Sequence, residues 1–329
     1  MTKVAPTLQG WFTQRLIGQR QASPHTVASY RDTFRLLFAY LADITGKSPA
    51  ELDFEDLDAN AIAGFLAYLE HDRGVSAATR NARLAALRSM FHFASFQHPE
   101  HAATIARVLA IPTKRRDRPL VTYLTSAEID ALLAAPDRST WIGRRDHALI
   151  LLAVQTGLRV SELAALRCRD SYTGRGSHVR VFGKGRKERV TPLTKPTVPV
   201  LQAWLDERAG NPDEPVFPGP SGGRLGRDAI RKLIVKHAAT AAAYCPSLAT
   251  KQIGAHTLRH SCAMNLLQNG VDLATIALWL GHEGLRTVEH YRHADLAIKE
   301  RALARTTPPN TKPRRYRPPD PILAFLESL

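Results

Sequence analysis

The chain has 329 residues and a mass of 36.3 kDa, a length that implies two domains, each able to bury its own core. Lys+Arg number 45 against 30 Asp+Glu, a formal charge of +15, while 44% of residues are hydrophobic, so this is a folded basic protein and not a disordered polycation, and the excess points to a polyanion, chiefly nucleic acid. Three widely spaced cysteines (Cys168, Cys245, Cys262) with no CxxC pair exclude a disulfide framework and a zinc knuckle, and the absence of a signal-type apolar core near the start fits a soluble, cytoplasmic protein with no membrane partner.

Residues 1–111 read as a helical bundle. A first helix is expected around Leu8–Leu16. Ser23-Pro24 then forms a cap with proline at the first helical position, and Val27, Tyr30, Phe34, Leu37, Phe38 and Leu41 keep one apolar face as far as Gly46. A helix from about Leu57 to His71 follows. Ser76 caps another, in which Leu84, Leu87 and Phe91 pack while Arg80, Arg83 and Arg88 carry charge. Those arginines are either solvated surface positions or DNA contacts. A short helix around Ala102–Leu109 closes the bundle.

Residues 112–124 read as a basic, proline-bounded linker whose Lys114, Arg115 and Arg116 suit a phosphate backbone. Residues 125–300 form the second domain. Thr125 and Glu128 make a capping pattern, and the nearly continuous apolar helix Arg144–Gln155 belongs at the domain centre. Thr156-Gly157 ends it, and helix restarts at once, placing Arg159 at the junction. Two short strands flank the basic turn Gly183–Lys187 as a hairpin, and helices near Val198–Arg208 and Arg227–Tyr244 follow.

Residues 256–293 read as helix, break, helix, break, helix. Leu258, Met264, Leu266 and Leu267, then Leu273, Ile276, Leu278 and Leu280, make apolar stripes, with Asn269-Gly270 and Gly281 as stops. The breaks gather His256, Arg259, His260, His282 and Tyr291. Residues 301–329 form a proline-rich basic tail with a short amphipathic terminal helix.

Taken singly, these residues have ordinary readings. Arg159 with Glu162 suits an i, i+3 ion pair, and Tyr291 a half-buried aromatic. His256 and His260 at i, i+4 have a metal-binding spacing, but no HExxH glutamate lies between them, so no metal is expected.

Taken together, the segments TGLRVSEL (156–163), FGKGRKERVTPL (182–193), HTLRH (256–260), LGH (280–282) and HY (290–291) resemble, in type and order, the motifs of the tyrosine recombinases, or phage integrase family. The resemblance implies a mainly α fold with a small β-hairpin: an N-terminal helical, SAM-like core-binding domain and a C-terminal mixed α+β catalytic domain. It implies site-specific DNA strand exchange, by a homotetramer or a hetero-assembly with related recombinases on double-stranded DNA, through a covalent 3′-phosphotyrosine and a Holliday junction, without metal or nucleotide.

It further implies an active site of Arg159, Lys184, His256, Arg259, His282 and Tyr291. The arginines would clamp the phosphate, Tyr291 would attack it, and Lys184 would protonate the leaving 5′-oxygen. His256 would take the tyrosine proton or bond the phosphate, and His282 would bond the phosphate. Arg186, Lys187 and Arg189 compete with Lys184, and Arg186 and Lys187 are also candidate DNA contacts, whereas His260 and His290 read as structural. The long tail leans towards a mobile element. The competing functions are a type IB topoisomerase, a non-catalytic DNA-binding regulator and a zinc-dependent nuclease.

Overall fold

The computed structural model describes residues 2–115, 121–183 and 188–281, with Val288 and Tyr291. The expectations for Arg116, Lys184, Arg186, Lys187, His282, His290 and the 301–329 tail lie outside the described residues. The chain divides into two compact units, Met1–Arg118 and Pro119–Leu329.

The first unit is all helical: α1 (Val4–Gly10), α2 (Pro24–Thr45), α3 (Ala59–His71), α4 (Ala77–Ala94) and α5 (Ala102–Ala110). The helix expected at Leu8–Leu16 is longer, because α1 runs on through Trp11–Gln19 with wider i→i+5 hydrogen bonding, such as Arg20 N–H to the Arg15 carbonyl at 2.9 Å. The local signals act as read. The Ser23 hydroxyl accepts from the Thr26 N–H with Pro24 in the first turn, and Gly46 ends α2 at φ 70°. Trp11, Phe34, Leu37, Phe65, Leu84 and Phe91 form the core.

The second unit contains α6 (Ser126–Ala134), α7 (Trp141–Thr156), α8 (Val160–Ala165), α9 (Thr197–Arg208), α10 (Arg227–Ala242), α11 (Ala255–Gln268) and α12 (Leu273–Leu280). Its sheet has one strand more than the expected hairpin. A two-residue strand β1 (Ser171–Tyr172) pairs antiparallel with β2 (His178–Phe182), which pairs antiparallel with β3 (Glu188–Pro192). Two residues are too few to show a period of two in the sequence.

Helix α7 lies at the centre, with Leu149, Ile150 and Leu152 fully buried. It also buries charge: Arg145 and His237 both bond Asp146, at 2.7 and 2.8 Å. The apolar stripe of α12 needs a correction. Leu278 is 77% exposed, because it stands two residues from both Ile276 and Leu280 and so faces the opposite side of the helix. No helix among the described residues is long and apolar enough to cross a membrane.

Candidate active site

Two left-handed glycines fix the frame. Gly157 ends α7 at φ 64° and Gly281 ends α12 at φ 64°, a conformation in which a side chain is disfavoured. The space at Gly157 is also closed, since a Cβ there would lie 2.6 Å from a Leu280 methyl and 3.2 Å from the Cys262 sulfur. α7, α11 and α12 therefore approach closely at this point.

Arg259, in the second turn of α11, is 4% exposed and joins the two helix ends. Its Nη1 donates to the Gly157 carbonyl and its Nη2 to the Leu280 carbonyl, each at 2.6 Å. Burial, with the charge of Arg159 adding to it, lowers its pKa to about 10, which leaves it protonated at neutral pH.

Arg159 reaches the same turn, its Nη2 donating to the Gly281 carbonyl at 3.1 Å. Its other arm is held by Glu162, which accepts from Nη1 at 2.9 Å and from the Arg159 backbone N–H at 2.7 Å. Glu162 also accepts two parallel bonds from Arg189 of β3, at 2.8 and 2.7 Å. Burial alone would raise the Glu162 pKa, but the bonds and charge of Arg189, with those of Arg159, outweigh it and hold the carboxylate ionised below its usual range.

His256 opens α11. Burial first, then the charges of Arg259, Arg231 and Arg159, lower its pKa, so at neutral pH the imidazole is uncharged and has a lone pair to accept a proton. One turn on, His260 lies face to face with it at 6.3 Å between ring centroids. The His260 Nδ1 is 2.8 Å from the Tyr291 hydroxyl. Tyr291 is 1% exposed and packs with Ala263, Met264, Ile276, Ala277, Leu280 and Val288. Burial raises its phenol pKa to about 12, although the charge of Arg259 pulls the other way.

Four of the six expected site residues, Arg159, His256, Arg259 and Tyr291, are thus described: α11 carries His256 and Arg259 and bonds Tyr291 through His260, while Arg159 bonds the Gly281 carbonyl next to the Leu280 carbonyl that Arg259 bonds. The Arg159–Glu162 ion pair expected at i, i+3 is present, and two contacts around it are not evident from spacing: His260, expected to be structural, bonds the phenol, and Arg189, expected as a rival to Lys184, pairs with Glu162. The signal for His260 was its i+4 position after His256; nothing in the spacing joins Arg189 to Glu162 across 27 residues. Among the described residues no three His, Cys, Asp or Glu side chains gather as a metal site.

The candidate DNA contacts of the first unit are mostly engaged within it. Arg80 is only 7% exposed, and its Nη1 donates to the Pro112 carbonyl at 2.9 Å, which corrects its reading as a surface charge. Arg83 donates to the Ser29 carbonyl and to the Thr33 hydroxyl, and Arg88 to the Ile111 carbonyl. Lys114 is exposed and pairs with Glu70 at 2.8 Å, while Arg115 is exposed.

Comparison with known proteins decides what this arrangement belongs to. Residues 122–297 match the phage integrase family, and residues 11–98 match the phage integrase N-terminal SAM-like domain. The chain belongs to the phage integrase family. The chain is similar to the integrase/recombinase y4rC of Sinorhizobium fredii, 53% identical over the full length of both chains. It is also similar to the tyrosine recombinase XerC of Pelobacter propionicus, 33% identical over 87% of this chain and 90% of that one. A solved structure of the XerH site-specific recombinase bound to palindromic difH substrate, in a post-cleavage complex, is 26% identical. It covers 87% of this chain and 81% of its own, with a TM-score of 0.65. As a member of this family the chain is a tyrosine-type site-specific DNA recombinase, and its mainly helical two-part architecture is the family's.

Proposed function

We propose that the protein exchanges DNA strands by using Tyr291 as the nucleophile on a phosphate held by Arg159 and Arg259. The Tyr291 oxygen bonds to phosphorus, the bond from phosphorus to the 5′-oxygen breaks, and a 3′-phosphotyrosine remains. The phenolic proton passes to the uncharged His256, and Lys184 gives a proton to the departing 5′-oxygen. The two guanidiniums, positively charged and fixed before substrate arrives, stabilise charge developing on the non-bridging oxygens, and His282 adds a further donor. Attack by a 5′-hydroxyl of the partner strand reverses the step and passes through a Holliday junction. Neither metal nor nucleotide is consumed in this scheme.

The observation that carries the reading is the convergence on α11 of a buried, charged Arg259, an uncharged His256 and the phenol of Tyr291. The working unit is a homotetramer bound to double-stranded DNA sites in the cytoplasm, on a mobile element. A structure of a lambda integrase tetramer bound to a Holliday junction, similar to this chain at 17% identity and a TM-score of 0.62, supports the assembly. Arg83, Arg88, Lys114, Arg115, Arg116, Arg186 and Lys187 are the proposed DNA contacts.

The test is a suicide duplex, built on DNA the protein binds and nicked beside successive phosphates, run in EDTA without ATP. A covalent protein–DNA band that vanishes in Tyr291→Phe is expected. Metal-dependent cutting without that band would overturn the assignment, as would a band that persists in Tyr291→Phe.

A further inference from the structure

The carboxylate of Glu162 is saturated. The guanidinium of Arg189, on β3, forks it: Nη1 donates to Oε1 at 2.8 Å and Nη2 to Oε2 at 2.7 Å. Two further bonds come from Arg159, whose Nη1 donates to Oε1 at 2.9 Å and whose backbone N–H donates to Oε2 at 2.7 Å. A carboxylate has about four lone-pair sites, and here each has a donor. The second arm of Arg159, Nη2, goes instead to the Gly281 carbonyl at 3.1 Å. Arg189 packs on that same turn, since a Cβ at Gly281 would lie 2.8 Å from its Nη1.

These bonds leave Arg189 neither of two direct roles. With both arms on Glu162 and its side chain 12% exposed, it is not placed to protonate a leaving oxygen, the role in which it rivals Lys184, or to grip a DNA phosphate. Its effect runs through Arg159. The Arg159 side chain is 30% exposed, and in the reading above its charge faces a phosphate. Glu162 is an anion within reach of the same guanidinium. A fork on a carboxylate is among the strongest pairings a guanidinium makes, and a charged acceptor is preferred to a neutral carbonyl. Were the sites held by Arg189 empty, Arg159 Nη2 would leave the Gly281 carbonyl and close onto Glu162, away from substrate.

We propose that Arg189 is a positioning residue for strand transfer: by forking Glu162 it keeps Arg159 from closing onto that carboxylate and leaves Arg159 to the phosphate. The proposal rests on the clamp reading given above and gives Arg189 no contact with DNA.

The experiment is single-turnover cleavage of the suicide duplex by the full chain, at a temperature where the variants keep the wild-type circular dichroism spectrum, with duplex affinity measured by filter binding. Arg189→Met should cleave about 100-fold more slowly than wild type, the scale for a catalytic group displaced by about 1 Å, at unchanged affinity. Adding Glu162→Gln removes the competing anion and should return most of the lost rate. A merely structural role would not move the rate of a folded protein. Arg189→Lys keeps a cation on Glu162 without the fork, so it should lose less rate and be restored in the same way; it carries the test if Arg189→Met does not fold. A folded Arg189→Met that cleaves at the wild-type rate overturns the proposal, as does a loss that Glu162→Gln leaves in place. So does a weakened affinity with a salt slope lower by about 1, which would make Arg189 a phosphate contact. A wild type without a Tyr291-dependent covalent band defeats the strand-transfer reading and this proposal with it. With that band present, the variant rates can sink this proposal alone.

Discussion

The Tyr291 hydroxyl sits 2.8 Å from the His260 Nδ1 in a pocket that leaves the tyrosine 1% exposed. A phenol so buried cannot reach a DNA phosphate, so the proposed attack requires Tyr291 to leave this pocket. The buried state has a spectroscopic signature. Its pKa is raised to about 12, chiefly by burial, so the stability this burial gives is fully present below about pH 10, the unfolded value, and is lost as pH rises towards 12. A difference titration of tyrosinate absorbance, wild type minus Tyr291→Phe, should show one group ionising well above pH 10. One ionising at about 10 would mean the pocket is open in solution.

Glu162 carries the weight of both Arg159 and Arg189. Its side chain is 4% exposed and that of Arg189 12%, so Arg189→Met leaves the buried carboxylate to Arg159 alone and should cost about 1.5–3 kcal/mol in urea unfolding. Adding Glu162→Gln should recover part of that loss, because the buried charge left with one partner is gone. As the Glu162 pKa is depressed, its contribution is present above the ordinary carboxylate pKa and fades as pH falls through the lower folded value. Wild type should therefore lose stability on acidification more steeply than the double variant; parallel curves would refute the coupling.

Arg80 and Arg115 separate structure from DNA contact. Arg80 is buried and donates to the Pro112 carbonyl, so Arg80→Ala should destabilise the first unit by about 1.5–3 kcal/mol, the range for a hydrogen bond to a charged group. Arg115 is exposed, so Arg115→Ala should leave unfolding unchanged while weakening DNA binding and lowering the salt slope by about 1. Filter binding across a salt series checks the second claim, and an unaltered slope counts against Arg115 as a phosphate contact.

Local signals were legible in the sequence because they act within one turn. Ser23, Thr125 and Gly157 cap or stop helices where their chemistry requires it, and the apolar run after Arg145 is the core helix of its unit. The order of the motifs was likewise readable, and with it the family. What the sequence hid is long-range or geometric. The reach from Arg189 to Glu162 depends on how β3 packs against α8, and whether Arg80 or Leu278 faces water depends on which side of a helix is covered. His260 looked structural because its partner is 31 residues away.

Gly157 allows the last of these dependencies to be measured. Gly46 and Gly157 share nearly the same backbone, φ 70° and 64°, yet a Cβ at Gly46 meets nothing within 4 Å while one at Gly157 meets Leu280 and Cys262. Gly46→Ala therefore reports the left-handed backbone alone, about 1 kcal/mol or slightly more. Gly157→Ala adds overpacking against a buried leucine, about 1–3 kcal/mol further. The clash also moves the Gly157 carbonyl that receives the Arg259 Nη1 at 2.6 Å, so the proposed phosphate clamp loses its seat. Covalent complex formation on the suicide duplex should fall at least about tenfold in Gly157→Ala, the equivalent of about 1.4 kcal/mol at the transition state, and stay at wild-type level in Gly46→Ala. Equal activity in the two variants would mean that the contact between Gly157 and Arg259 does not position the clamp.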